Sequence, residues 1–237
     1  TLPATNEIVD KCIECGFCEP TCPSNELTLT PRQRIIINRE ISRLESIGNV
    51  KEAKEYKDLY QYDGIETCAT CSLCSTACPV KIDTGNLTKH LRAEQLTSKD
   101  KAIANYVANN FSTTLTGIRF GLHSSNFIHK VLGTSKMESF TKTLRTISKN
   151  KTPKWSPTMP KAISINLNFE QKDSDKKIVY FPSCINRTMG LNSISKEDKE
   201  LFDITVELLQ KAGYQIILPQ NLSNLCCGMP FSSKGFN

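Results

Sequence analysis

Eight of the eleven cysteines in this chain of 237 residues fall into two short runs with identical spacing. The first is Cys12-x-x-Cys15-x-x-Cys18-x-x-x-Cys22, the second Cys68-x-x-Cys71-x-x-Cys74-x-x-x-Cys78, and a proline, Pro23 or Pro79, follows each. Three cysteines at intervals of three can turn their sulfurs toward one centre from a single short loop. A fourth, four residues on, is carried outward by a helical turn and reaches the centre built by the other run. The fold must therefore bring together two loops that are 45 residues apart in sequence. Gly16 permits the tight path of the first loop. The prolines fix the exit of each run and remove a competing N–H donor.

The pattern suits a polynuclear metal site. Zinc ribbons use two Cys-x-x-Cys pairs and have no use for the third and fourth cysteines of each run. Disulfide frameworks belong to small secreted domains, whereas this chain is not small and shows no signal peptide. The spacing predicts two 4Fe–4S clusters, one on Cys12, Cys15, Cys18 and Cys78, the other on Cys68, Cys71, Cys74 and Cys22. Clustered thiols of this kind imply a reducing compartment, read here as the cytoplasm. The formal charge of +6 would suit nucleic acid or an anionic membrane. Each filled cluster site contributes roughly −2, which brings the balance to roughly +2 and removes the case for a nucleic-acid partner. No apolar run is long enough for a transmembrane helix.

The rest of the chain reads as mainly α. Thr30, Pro31 and Gln33 supply an N-cap, a proline at N1 and a capping-box partner. The helix they open carries Ile37, Ile41 and Leu44 on its apolar face and Arg34, Arg39, Arg43 and Glu45 elsewhere. Gly48-Asn49 breaks it, Lys51–Tyr60 forms a second helix, and Asp83 or Thr84 caps a third through Leu87, Leu91 and Ala93. Residues 1–98 are thus expected to form a dicluster domain, and 99–149 a helical extension with breaks near Gly121–Asn126 and Gly133. In that extension Phe111, Leu115, Ile118 and Leu122, then Met137, Phe140, Leu144 and Ile147, recur at helical spacing as packing faces. Residues 150–177, with Pro153, Pro157, Pro160 and a polar tract from Glu170 to Lys177, read as a linker that Trp155 pins to a domain surface. From 178 to 237 the period changes. A buried strand at Ile178–Phe181, a helix opened by Ser195 and Asp198 and closed by Gly213, and a strand at Tyr214–Leu218 make a βαβ unit. Both ends look cut, so a longer protein is expected.

Three cysteines remain. Cys226-Cys227-Gly228 follows Cys184 after 41 residues, and this resembles the "CCG" cysteine-rich domain of heterodisulfide reductase, glycolate oxidase and anaerobic glycerol-3-phosphate dehydrogenase iron–sulfur subunits. The resemblance implies a third iron–sulfur or zinc site whose further cysteine pair is not in this chain; without it, the three are reduced thiols. The first run, with a helix rather than short strands between the runs, resembles the α-helical ferredoxin domain of flavin-linked respiratory dehydrogenases. A wider resemblance rests on Cys15-Gly16-Phe17-Cys18-Glu19-Pro20-Thr21-Cys22-Pro23, Tyr62-Asp63-Gly64-Ile65, Thr152-Pro153-Lys154-Trp155, Met159-Pro160, Tyr180-Phe181-Pro182-Ser183-Cys184 and Arg187-Thr188-Met189-Gly190. These segments look like the C-terminal half of the fused FAD and iron–sulfur D-lactate dehydrogenases. That family implies an FAD domain upstream that oxidises a D-2-hydroxy acid, and electrons passing through the clusters to a quinone or cytochrome at the inner face of the plasma membrane. The alternative is a separate iron–sulfur subunit of a glycolate oxidase, glycerol-3-phosphate dehydrogenase or heterodisulfide reductase complex.

Nothing else in the sequence carries chemistry. His90, His123 and His129 are isolated, and no Gly-x-Gly-x-x-Gly or P-loop pattern occurs. No catalytic acid, base or nucleophile is predicted. Phe17 is expected to screen a cluster from water.

Overall fold

The computed structural model describes residues 4–149, 152, 154–167, 169–170, 173–192 and 194–236. Pro153, Thr1, Asn237 and parts of the polar tract after Glu170 lie outside the described residues. The chain divides into two compact units, residues 1–104 with 228–237 and residues 105–227. The described residues are mainly helical, with one two-stranded parallel sheet.

In the first unit, helix α1 (Pro31–Ser46) starts at the capping box: Gln33 N–H donates to Thr30 Oγ1 at 3.4 Å and Thr30 N–H to Gln33 Oε1 at 2.8 Å. Asn49 caps α2 (Val50–Tyr60), which runs directly into a π-helical turn, Gln61–Glu66, that no sequence signal announced. The short α3 (Leu73–Ala77) lies inside the second cysteine run, and Asp83 caps α4 (Thr84–Glu94). Two small apolar groups hold these elements. Val9, Ile35, Ile82 and Leu87 form one, with Cys12 and Cys78 packed on it; Ile41, Tyr60 and Ile65 form the other.

The polar face expected on α1 needs correcting. Arg34 and Arg39 are only 1% and 3% exposed. Arg34, Asn38 and Ile41 recur at i, i+4 and i+7, so they share one stripe, and that stripe faces inward. The Arg34 guanidinium enters the interior because the π-helical turn receives it: Nε donates to Gly64 O at 2.7 Å and Nη2 to Asp63 O at 3.5 Å. The turn in turn needs a glycine. A Cβ at Gly64 would stand 2.1 Å from the Tyr60 ring, and Tyr60 is buried with its hydroxyl donating to Arg34 O at 3.1 Å. Gly64→Ala should therefore destabilise the unit by about 1–3 kcal/mol through overpacking. Chemical denaturation measures this, and an unchanged midpoint would refute the account.

Between and beyond the units' boundary the chain continues as α5 (Ser98–Asn109), α6 (Phe111–Leu132) and α7 (Thr134–Ile147). The break expected near Gly121–Asn126 is absent. Gly117 and Gly121 cost α6 roughly 1 kcal/mol each in propensity, too little to interrupt a helix of 22 residues. The chain breaks at Asn110 instead, and at Gly133, where φ is 76°. Of the two apolar stripes, Phe111, Leu115 and Met137 are buried, while Ile118, Phe140, Leu144 and Ile147 are exposed.

In the second unit, the expected linker is tied down at several points. Trp155, 6% exposed, stacks obliquely on His129 of α6 with ring centroids 4.7 Å apart. Arg119, also of α6, donates to Ile163 O at 3.0 Å and to Arg187 O at 2.9 Å. Strand β1 (Lys177–Val179) pairs in parallel with β2 (Gln215–Ile217), Ile178 opposite Ile216. The strand expected at Ile178–Phe181 is shorter than predicted and only half-buried, on one face: Ile178 is partly buried and Val179 is 65% exposed. Between the strands lie α8 (Cys184–Thr188), which the sequence reading missed, and α9 (Leu201–Lys211). Helix α9 begins at Glu200 rather than at Ser195 or Asp198. Ser195 Oγ is engaged in a local turn, accepting from Glu197 N–H at 3.2 Å, which competes with helix initiation. Phe202, Val206 and Ile216 form the core here, with Tyr180 stacked on Phe202 at 5.7 Å. A 3-10 turn (Leu222–Asn224) follows β2, and α10 (Met229–Ser232) belongs to the C-terminal segment of the first unit.

Candidate metal centre

Two cavities in the first unit gather the eight clustered cysteines in two sets of four. Cys12, Cys15, Cys18 and Cys78 line one, together with Ile35, Val80 and Ile82. Cys22, Cys68, Cys71 and Cys74 line the other, together with Ser24, Arg34 and Thr70. Each run supplies three sulfurs to one cavity and its last to the other. The loops reach these positions through left-handed backbone at Glu14 (φ 62°) and Gly16 (φ 85°) in the first run, and at Thr70 (φ 49°) and Ser72 (φ 62°) in the second. Left-handed non-glycine residues cost about 1 kcal/mol or more each. In return, such turns aim backbone N–H groups inward as anion-binding concavities: Thr70 N–H donates to Cys68 Sγ at 3.4 Å.

The two cavities differ electrically. In the first, burial pushes the Cys18 thiol up to about 11, against backbone N–H donation from Cys18 and Arg32. In the second, burial also acts on Cys22, but hydrogen bonding with Ser24 and Arg34 outweighs it and holds that thiol below its ordinary value. Cys22 Sγ lies 3.1 Å from Ser24 Oγ, and Arg34 Nη1 donates to it at 3.8 Å. Cys74 is raised by burial and by the nearby Asp83 carboxylate, with Cys74 Sγ 3.7 Å from Asp83 Oδ1. Arg92, whose guanidinium is lowered by burial, donates to Cys68 O at 2.9 Å and to Ile65 O at 2.6 Å.

Three observations test whether an iron–sulfur cluster fits. No disulfide joins any of the cysteines among the described residues. A lone metal ion needs its thiolates within about 2.3 Å of one point; among the described residues no three His, Cys, Asp or Glu side chains converge in that way, and the sulfurs surround spaces instead. Among the described residues, Arg34 is buried with no carboxylate in its hydrogen-bond set, and Thr70 Oγ1, on a residue lining the same cavity, is buried with no hydrogen-bond partner. A buried cation without a counter-ion is costly, and an anionic cluster would offset it. The residues fit the group.

The remaining candidates lie apart from this centre in sequence. Cys184 opens α8, and Cys226 and Cys227 follow the 3-10 turn. Burial lowers the Arg187 guanidinium, while Cys184 and Cys226 pull it the other way. Arg187 is 3% exposed and donates to Leu222 O and, at 2.6 Å, to Leu225 O. His90 pairs with Glu94 at 3.3 Å along α4. Phe17 is not the expected shield: it is 65% exposed and lines neither cavity, the apolar wall of the first coming from Ile35, Val80 and Ile82. Sequence reading missed Arg34, Ser24 and Arg92. Only Arg34 had a signal, its place on the buried stripe of α1.

Comparison with known proteins gives first a class of domain. Residues 8–82 match the family described as 4Fe-4S dicluster domain. The match supports iron–sulfur clusters in this segment and electron transfer as its work. Over nearly the whole chain, the sequence is similar to the probable glycolate oxidase iron-sulfur subunit of Bacillus subtilis (strain 168), 22% identical over 248 aligned positions covering 94% of this chain. The chain spans about half (50%) of the length of that relative. No solved structure matches. Among the described residues no helix is long and apolar enough to cross a membrane.

Proposed function

We propose that this chain is the electron-carrying part of a flavin-linked 2-hydroxy-acid oxidoreductase. Cys12, Cys15, Cys18 and Cys78 would hold one 4Fe–4S cluster, and Cys22, Cys68, Cys71 and Cys74 the other. The observation that carries the proposal is the grouping of the eight sulfurs around two neighbouring cavities, each run contributing to both. Clusters bound there would take up and release single electrons with little change of geometry. The chain's own residues would anchor them through thiolates, donate toward the sulfurs from Thr70 N–H and Arg34, and keep water from the first with Ile35 and Ile82. No residue of this chain is assigned to bind or activate the hydroxy acid, which is oxidised at an FAD carried by a fused domain or separate subunit.

The resemblance in the motifs favours a fused D-lactate dehydrogenase that delivers electrons to a quinone or cytochrome. The name of the Bacillus relative favours a separate subunit acting on glycolate. Co-purification of the natively expressed protein separates them: a covalent FAD domain supports the first, a distinct flavoprotein chain the second. Cys184, Cys226 and Cys227 are proposed as part of a third metal site that needs further ligands, and as reduced thiols otherwise.

Anaerobic reconstitution with iron and sulfide tests the core of the proposal. Two clusters mean about eight irons per chain and a broad visible band that dithionite bleaches reversibly. A helical chain that retains no iron would end it.

A further inference from the structure

The two cavities differ in how the cations beside them are partnered. Beside the first, the cations are already neutralised: Arg32 pairs with Glu19 at 3.1 Å and Arg39 with Glu14 at 2.6 Å. Beside the second, Arg34 and Arg92 belong to no ion pair among the described residues. Both are held by carbonyls and hydroxyls. Arg34 Nε donates to Gly64 O at 2.7 Å and Nη2 to Ser24 Oγ at 3.0 Å and Thr67 Oγ1 at 3.2 Å, which leaves Nη1 directed at Cys22 Sγ, 3.8 Å away. The carboxylates on this side are Asp83, which accepts from Ser72 Oγ at 2.6 Å and Gly85 N–H at 2.8 Å, and Glu66, which acts on Arg92. Because Glu66 faces Arg92, the asymmetry rests on Arg34, which approaches a clustered sulfur with no carboxylate in its hydrogen-bond set among the described residues.

Resting on the ligand grouping proposed above, we infer that Arg34 is a positioning residue that makes the cluster on Cys22, Cys68, Cys71 and Cys74 the higher-potential one of the two. Reduction adds one electron, and so one negative charge, to a cluster that is already anionic. A fixed cation hydrogen-bonded to a ligand sulfur in a dry site stabilises the reduced state more than the oxidised one. With both clusters bound, an arriving electron would therefore rest at the second cavity, where Arg34 donates toward Cys22.

An EPR-monitored redox titration of the reconstituted protein, with dithionite as reductant, tests this. In the unmodified protein the first signal to appear on reduction should be the one whose g-values change in Cys71→Ser; if it is the one that changes in Cys15→Ser, the inference is overturned. Arg34→Gln should lower the potential of the second cluster by at least tenfold in its reduction equilibrium, about 59 mV for one electron, and should move the first by far less. Arg34→Lys should recover most of that loss. Asp83→Asn keeps the α4 cap and should shift the second cluster upward, which retains a charge test if Arg34→Gln does not fold. An unmoved second potential in folded, iron-replete Arg34→Gln or Asp83→Asn overturns the inference alone. A folded wild-type chain that takes up no iron overturns the cluster reading and this inference together.

Discussion

Cys22→Ala should yield a chain that binds about half of its iron, roughly four of about eight atoms, and the cluster it loses should be the one built on the second run. Cys22 belongs by sequence to the first run, yet its sulfur lies in the cavity lined by Cys68, Cys71 and Cys74. Removing it takes one of four ligands from that cavity and also takes from Arg34 the sulfur that its Nη1 approaches at 3.8 Å. The first cavity keeps Cys12, Cys15, Cys18 and Cys78. Iron analysis with EPR of the reduced variant distinguishes the outcomes. Loss of the signal that depends on Cys15, with retention of the one that depends on Cys71, would show that the grouping is wrong.

Stripping the clusters with a chelator under reducing conditions should unfold the first unit and spare the second. In the first unit one cavity opens beside the apolar group that contains Ile35 and Ile82, and the other around the buried Arg34. Loss of the anionic groups would also leave Arg34 buried with its charge uncompensated, a penalty of several kcal/mol, comparable to the whole stability of a small unit. Binding free energy of this kind is folding free energy. The second unit has its own core of Phe202, Val206 and Ile216, with Phe169 and Tyr180 on it. Hydrogen exchange should show α1 amides losing protection while α9 amides keep theirs; protection retained throughout α1 would contradict this account.

The parts of the molecule legible in the sequence were those dictated by local chemistry. The α1 capping box, the break at Gly48-Asn49, the Asp83 cap and the parallel pairing of the two strands follow from residue type and period. Spacing suggests the proposed grouping of the cysteines into fours. What escaped was set by tertiary partners. Arg34 looked like a surface residue because arginine is rarely buried unpaired; carbonyls of a π-helical turn 29 and 30 residues away make its burial tolerable. That turn had no signal, since Tyr62-Asp63-Gly64-Ile65 could be read as an ordinary helix end. The helix break misplaced near Gly121 shows the opposite error, weight given to a local breaker that a long helix absorbs.

The carbonyl cage around Arg34 has a consequence for the conditions under which the protein works. Mobile ions attenuate charges that they can approach, over a screening length of about 8 Å at physiological ionic strength, and they have no access to a guanidinium that is 1% exposed. The bias that Arg34 would give a cluster in the second cavity should therefore depend little on dissolved salt.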